Sequence, residues 1–372
     1  MTTPQLQRSG RDVRLDLFRG LANWVIFLDH VPNNAVAWIT TRNYGFSDAA
    51  ELFVFISGYT VAFVYARTML LRGFVAAALD MLGRVWQIYV AYTLLFVFYV
   101  VAIGYVAQRY DHAHLLDEFN IRRLIADPIE FLKHGLLLEY KPLNLDVLPL
   151  YVVLMAVFPA VLWMLTRRPN ITLLGSFAIY VGAQTLDWNL PSYPDGGWYF
   201  NPFAWQLLFV IGAWIALAGL AALQAILRTP PLLFSAVLFL LVAAAVTFAS
   251  RMGDDGLIPE VIRATVIPND KTHLAPYWIA HFLALALLIS RLVARDAPGL
   301  AAPVWRPLIA CGQRSLEVFC TGVFLAFIAH LVIELVSDSL PFQIAVSITG
   351  IGLMTAVAYI FMWARSAPER RK

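Results

Sequence analysis

Arg19 and His30 stand eleven residues apart in the segment RLDLFRGLANWVIFLDHVPNN. At ~100° per residue that spacing is three turns plus about 20°, so on a helix the two side chains share a face, about 16 Å apart along the axis. Asn23 falls on the same stripe, and Asn33 lies just beyond it. Imidazole exchanges protons near neutral pH, which suits it to general-base work; guanidinium suits the holding of phosphate or carboxylate. A second segment, FSDAAELFVFISGYT, puts Asp48 and Glu51 three residues apart on one helix face, with Ser57, Gly58 and Tyr59 following. Two further apolar runs begin with polar groups. NLDVLPLYVVL opens on Asn144 and Asp146, and NPFAWQLLFVIGAW opens on Asn201, Trp205 and Gln206. Carboxylates, amides and an imidazole delivered to one depth describe a polar cavity. The competing readings are an interfacial place for Asp48 and Glu51 and packed structural roles for His281 and His330. Asp29 neighbours His30 in sequence but lies on a different face, so an orienting role for it is the weaker reading.

These residues are embedded in a chain that is 60% hydrophobic and only 14% charged over 372 residues. A soluble domain carries about 25% charged residues. The composition predicts an all-α integral membrane protein, one polytopic domain over 1–372. Apolar runs mark about ten spans: 15–38, 48–70, 82–107, 146–166, 171–189, 203–224, 231–250, 275–294, 313–336 and 341–364. No alternating ten-residue pattern supports a β-barrel. The start, Met1 to Arg14, is polar and carries no cleavable signal pattern. Each ionisable group inside a span costs about 2.5–3.5 kcal/mol on insertion scales, so the polar seam of the first span calls for a function.

Most of the 27 Lys and Arg fall on one side of this arrangement, among them Arg14, Arg19, Arg67, Arg72, Arg84, Arg167, Arg168 and Arg228. The positive-inside rule makes that side cytoplasmic, with the tails 1–14 and 365–372 there, in a bacterial inner membrane. Outer loops are expected at about 108–145 and 251–274; the first reads as one or two amphipathic helices lying on the surface. Its His112 and His114 are expected to be solvated, so no metal site is read there. A net charge of +3 gives no argument for nucleic acid, and two cysteines give no disulfide framework. The absence of a nucleotide-binding glycine loop argues against an ATP-driven pump.

The stretch Arg14 to His30 resembles the first helix of the integral-membrane acyltransferase family 3. RDVRLDLFRGLANWVIFLDHVPNN, FSDAAELFVFISGYTVAFVYAR, LPLYVVLM, NPFAWQLLFVIGAW and GQRSLEVFCTG are similar to the OpgC branch, associated with succinylating osmoregulated periplasmic glucans; the likeness runs over about 11–364. The resemblance implies an acyltransferase-3-like bundle, His30 as catalytic base, Arg19 as the family arginine, and Glu51 with Ser57-Gly58-Tyr59 as the second-helix pattern. The family's Arg-x-x-Arg after that helix is here Arg67 and Arg72, spaced Arg-x4-Arg, which leaves open which one meets the donor.

The implied reaction moves an acyl group, succinyl by the resemblance, from acyl-CoA to a glucan hydroxyl. No Gly-x-Ser-x-Gly elbow is present, which favours direct attack. In this reading His30 deprotonates the hydroxyl, assisted by Asp29 and Glu51. Arg14, Arg19, Arg67, Arg72 and Arg84, with Ser57 and Tyr59, hold the coenzyme A donor, for which no permanently bound cofactor is expected. Asn33, Asp48, Asp146, Asn201, Trp205 and Gln206 meet the acceptor. Partners are acyl-CoA, the glucan and the lipid bilayer. The rival readings are another envelope glycan or acyl group, and a glycan or lipid transporter using the same midplane polar groups.

Overall fold

Proline and glycine punctuate the apolar chain, and its helices start and stop at them. The computed structural model describes residues 12–219, 227–253, 256, 258–266, 270–294 and 297–366. The outermost parts of both tails, the end of the sixth expected span and parts of the 251–274 loop lie outside these residues. Among the described residues the chain is all-α, with one isolated bridge between Pro191 and Gly197. The helices are α1 (Val13–Asp29), α2 (Ala49–Arg109), α3 (His114–Glu118), α4 (Arg123–Ala126), α5 (Pro128–Leu136), α6 (Val147–Arg167) and α7 (Pro169–Leu186). They continue with α8 (Pro202–Trp214), α9 (Pro230–Arg251), α10 (Glu260–Val266), α11 (Pro276–Leu292), α12 (Arg306–Gln313), α13 (Ser315–Val336) and α14 (Leu340–Ser366).

Five of these, α2, α6, α9, α13 and α14, are long and apolar enough to cross a membrane, and α8 and α11 are shorter apolar helices. One boundary differs clearly from the sequence expectation. The first span ends at Asp29 rather than 38, because Pro32 has no N–H to continue the ladder and Asn33 is left-handed at φ 56°. Two short 3-10 turns, Ala35–Ile39 and Thr41–Asn43, follow instead. The second and third expected spans are two helical stretches of α2 that meet at a kink at Gly73, where φ 85° and ψ 174° break the helical geometry. The ninth expected span, 313–336, is the single helix α13, and α12 is a separate helix before it, set off where Arg314 leaves helical geometry.

The chain forms two compact units, one of residues 1–64 and 208–372, the other of residues 65–207. In the first, α1 lies against α12 and α13, and α14 covers α12 and α13. Phe27, Leu28 and Val31 of the α1 segment share a core with Ala310, Cys311, Val318, Ala326, Ala329, Ile333, Met354 and Ala358. The closest approach is main chain on main chain. A Cβ on Gly20 would stand 1.9 Å from the Leu308 carbonyl oxygen, and one on Gly312 would stand 1.8 Å from that of Asp16. The start of α2 meets α8 in the same way, Gly58 against Phe209 and Gly212 against Phe55.

In the second unit the 108–145 segment folds inward. It forms three short helices rather than one or two lying on the surface, and Leu115, Leu116, Phe119, Ile121 and Phe131 are buried. Phe131 stacks on Phe96 of α2 and meets Tyr140 edge-on, while Phe119 meets Tyr99. Those aromatic partners take up part of the apolar face that the sequence shows, while Ile125, Ile129 and Leu132 stay exposed.

Replacing Gly312 by Ala should force α1 and α12 apart, at a cost of about 1–3 kcal/mol. Thermal unfolding in detergent should show a lower Tm for Gly312→Ala. Gly352→Ala, in open space within α14, should be neutral or slightly stabilising. Equal Tm values for wild type and Gly312→Ala would show that the crossing is looser than described.

Candidate active site

His30 is the C-terminal cap of α1, its N–H bonded to the carbonyls of Ile26 and Phe27 at 2.9 and 3.2 Å. It is half-buried and lies in the electrostatic field of Lys271, Asp48 and Arg42. The helix that carries it is polar along one face, and the structure places each of these groups. Arg14 pairs with Asp12 at 2.9 Å and donates to the Val293 carbonyl at 2.8 Å. Arg19 donates to Thr60 Oγ1 of α2 at 2.9 Å. Asn23 donates to the Arg19 carbonyl and, at 3.2 Å, to Ser315 Oγ of α13. Asp29 accepts from Thr40 Oγ1 at 2.7 Å, and Arg42 donates to its carbonyl at 3.2 Å. Asp29 therefore anchors the turn that follows α1. Asn33 holds the left-handed bend itself.

Asp48 and Glu51 form a reciprocal cap at the start of α2. Asp48 Oδ1 accepts from Ala50 N–H at 2.8 Å, and Glu51 Oε2 accepts from Asp48 N–H at 2.7 Å. An acidic residue at the cap and a glutamate three positions on is the capping-box pattern. Two features exceed simple capping. Asp48 Oδ2 accepts a charged hydrogen bond from Lys271, and Glu51 is wholly buried, its Oε1 without a hydrogen-bond partner among the described residues. The preceding turn is clamped by His281 of α11, whose Nδ1 lies 2.7 Å from Ser47 Oγ and accepts from Ser47 N–H at 3.3 Å. A Cβ on Gly45 would collide with the imidazole at 2.3 Å. His281 is thus a packed, hydrogen-bonded histidine, and so is His330, which is buried in α13 with Glu334 3.5 Å away.

A cavity of about 230 Å³ lies between α1, the start of α2 and α11. Its walls are apolar, among them Phe18, Ala22, Val25, Leu52, Phe55, Phe282 and Leu285. Polar groups mark its extremes, Arg14 and Ser290 at one and Thr41 and Asp48 at the other. From Arg14 to Val25 along α1 is about 16 Å at 1.5 Å per residue. The slot therefore runs most of the helix length, from a guanidinium to the turn held by Asp29.

The remaining expected site residues belong partly to each unit. Ser57 is buried and Tyr59 half-buried on α2, beside the Gly58 crossing. In the second unit Arg67 and Arg72 are exposed, Arg72 within 3.5 Å of Asp80, and Arg84 donates to Gln87 at 3.0 Å. Asn201 is fully buried: its Oδ1 caps Phe203 N–H of α8 and its Nδ2 donates to the Trp188 carbonyl. Gln206 ties α8 to Ser176 of α7 in both directions, at 2.6 and 2.8 Å. Trp205 is fully buried, edge-on to Phe200 at 4.7 Å. Asp146 stands at the start of α6 without a side-chain capping bond and faces Lys141 electrostatically. Lys141 is itself buried over the Trp198 ring at 3.7 Å, and burial pushes its pKa down to about 8. Sequence reasoning missed Thr40, Arg42, Lys271 and the Ser47–His281 contact.

The chain matches the family model described as OpgC protein over residues 11–366. No curated protein and no solved structure matches it.

Asp48 has two duties, capping and charge pairing, that substitution can separate. Asp48→Asn keeps a good cap and loses the charge opposite Lys271, whereas Asp48→Ala loses both. In detergent Asp48→Ala should unfold at a lower temperature than Asp48→Asn, by a cap contribution of about 1 kcal/mol. Coincident unfolding curves for the two variants would deny the cap.

Proposed function

The chain belongs to the OpgC family, and on that premise we propose that it moves a succinyl group from cytoplasmic acyl-CoA to hydroxyls of a periplasmic glucan, with His30 as general base. The family implies an acyltransferase in general, and the long apolar helices place it in a membrane. The observation that carries the finer reading is the apolar slot between Arg14 and the Thr41–Asp48 turn. A thioester on a long, thin arm needs such a slot if its phosphates stay in the cytoplasm while its acyl group meets a periplasmic acceptor.

In this reading the bundle is of the acyltransferase-3 kind, both termini are cytoplasmic and the membrane is the bacterial inner one. Arg14 and Arg19 meet the donor's phosphates, with Arg67, Arg72 and Arg84 as further cationic candidates and Ser57 and Tyr59 along the arm. Arg14 holds Asp12 and the Val293 carbonyl, and Arg19 the Thr60 hydroxyl, so each guanidinium is fixed at its position along α1. Asn33, Asp48, Asp146, Asn201, Trp205 and Gln206 belong to the acceptor side. The glucan hydroxyl oxygen attacks the thioester carbonyl carbon as His30 takes its proton. The tetrahedral intermediate then breaks its C–S bond, and the leaving thiolate receives the proton from the imidazolium. Asp29 contributes by fixing the turn at the end of α1, and Glu51 by fixing the start of α2.

His30→Ala should insert normally and lose at least ~100-fold in kcat/KM, the usual size of a general-base contribution. Purified variant with succinyl-CoA and periplasmic glucan, assayed for acylated glucan, gives the measurement; wild-type rates would remove His30 from the reaction.

Sidedness separates the enzyme from a transporter. In oriented vesicles, transfer should require acyl-CoA on the Arg14 face and glucan on the opposite face, with free CoA appearing only on the donor side. Reaction only when both substrates share a face would overturn the through-membrane route. Glucan crossing without acylation would favour the transporter, and acylation of a different envelope glycan would move the acceptor assignment.

A further inference from the structure

The apolar helix α14 buries two polar side chains, Gln343 and Ser347, four residues apart on one face. Burying an amide or a hydroxyl is unfavourable unless it is hydrogen-bonded. Both groups find their partners in the turn that follows His30. Gln343 Oε1 accepts from the Ala35 N–H at 2.7 Å, and its Nε2 donates to the Asp338 carbonyl at 2.7 Å. Ser347 Oγ accepts from Nδ2 of the buried Asn34 at 3.3 Å, while Asn34 Oδ1 accepts from the Val36 N–H at 3.1 Å. Ala35 opens a 3-10 turn, and the first N–H groups of a helical turn have no partner within it. Apolar packing already holds α14 without these bonds. Met354 and Ala358 are fully buried in the core that includes Phe27, and a Cβ on Gly350 would stand 2.2 Å from the Phe27 ring. What the two polar groups add is a fixed place for the backbone at Asn34 and Ala35. The turn is also closed on α1, since Thr40 Oγ1 lies 2.7 Å from both Asp29 Oδ1 and the Ala37 carbonyl. His30 stands between these two anchorages. Only Val31, Pro32 and the left-handed Asn33 separate it from Asn34, and proline has a fixed φ.

We propose that Gln343 and Ser347 are positioning residues for His30, acting through the Asn34–Ala35 backbone and touching no substrate themselves. The use of His30 as a base rests on the acyl-transfer reading; the hold on its backbone does not. α1 fixes the chain before the imidazole and α14 fixes it after, so the side chain leaves the helix end in one direction. Loss of the α14 bonds frees the second end, and a reacting group displaced by a fraction of an ångström loses rate more than it loses binding.

The test compares the full chain in detergent with Gln343→Leu, Gln343→Glu and Ser347→Ala, each measured on its folded, monodisperse fraction. Hydrogen exchange read by mass spectrometry should be about fivefold faster over residues 31–37 in Gln343→Leu, the opening expected from one lost hydrogen bond. The rate at which diethyl pyrocarbonate labels His30, read by peptide mass, should change with it. With succinyl-CoA and glucan, kcat should fall about tenfold while KM for the donor stays within about twofold. Gln343→Glu keeps an acceptor for the Ala35 N–H and should recover part of that kcat. Ser347→Ala removes the longer bond and should move every readout the same way by less, so it carries the test where Gln343→Leu does not fold. The proposal falls if folded variants exchange residues 31–37 at the wild-type rate. It also falls if exchange quickens while His30 labelling and kcat stay at wild-type values. A wild type that never acylates glucan would end the acyl-transfer reading, and exchange and His30 labelling would then decide the positioning by themselves.

Discussion

Charge inside an apolar bundle has to be answered close by, and α1 is organised by that requirement. Its ionised groups would each be costly if left alone in hydrocarbon. Arg14 turns to Asp12 and to a carbonyl of the α11 end, and Arg19 reaches across to α2. Asn23 reaches α13, and Asp29 reaches forward to its own following turn. The polar groups on α1 therefore act as cross-links to four different parts of the unit. The seam that supplies candidate chemistry also holds the helix in place, so its positions carry both duties at once.

The same requirement shapes the outer end. Pro32 stops the helix, the two 3-10 turns bring Thr40 and Arg42 back to Asp29, and Ser47 meets His281 before α2 begins. His30 is thereby presented at a helix terminus rather than inside a continuous span. A terminus offers a side chain more approach directions than a packed helix middle does, which suits a group that must meet a substrate from outside. The apolar slot along α1 supplies the contrast, a low-dielectric passage lined at its ends by Arg14 and by Thr41 and Asp48.

Much of this was legible in the sequence, and particular residues show why the rest was not. Helical periodicity alone aligned Arg19, Asn23 and His30, and composition alone gave a helical membrane chain. Asp48-x-x-Glu51 also carried a readable local signature, the capping box, which competes with a sugar-binding reading of the same carboxylates. Asn201 before Pro202 is likewise a helix-start signal, and its side chain is used for that. Lys271 and Arg42 were not legible as site neighbours, since they come from turns far apart in sequence and periodicity says nothing about turns. The 108–145 segment shows the same limit from the other side. Its amphipathic pattern was correct, but only the positions of Phe96 and Tyr99 on α2 decide that its apolar face turns inward.

The main-chain contact between α1 and α12 sets a rule for what can vary. Gly20 and Gly312 let peptide groups, not side chains, fix how far α1 is inserted and how it is rotated. Registry defined by the backbone is insensitive to the size and charge of residues elsewhere on the helix. Relatives could exchange the groups lining the slot, and with them the shape of arm or acyl chain accepted, without sliding His30 along the helix axis. Two residues with no side chain would thus act as a fixed rail, on which the selectivity of the passage is free to drift.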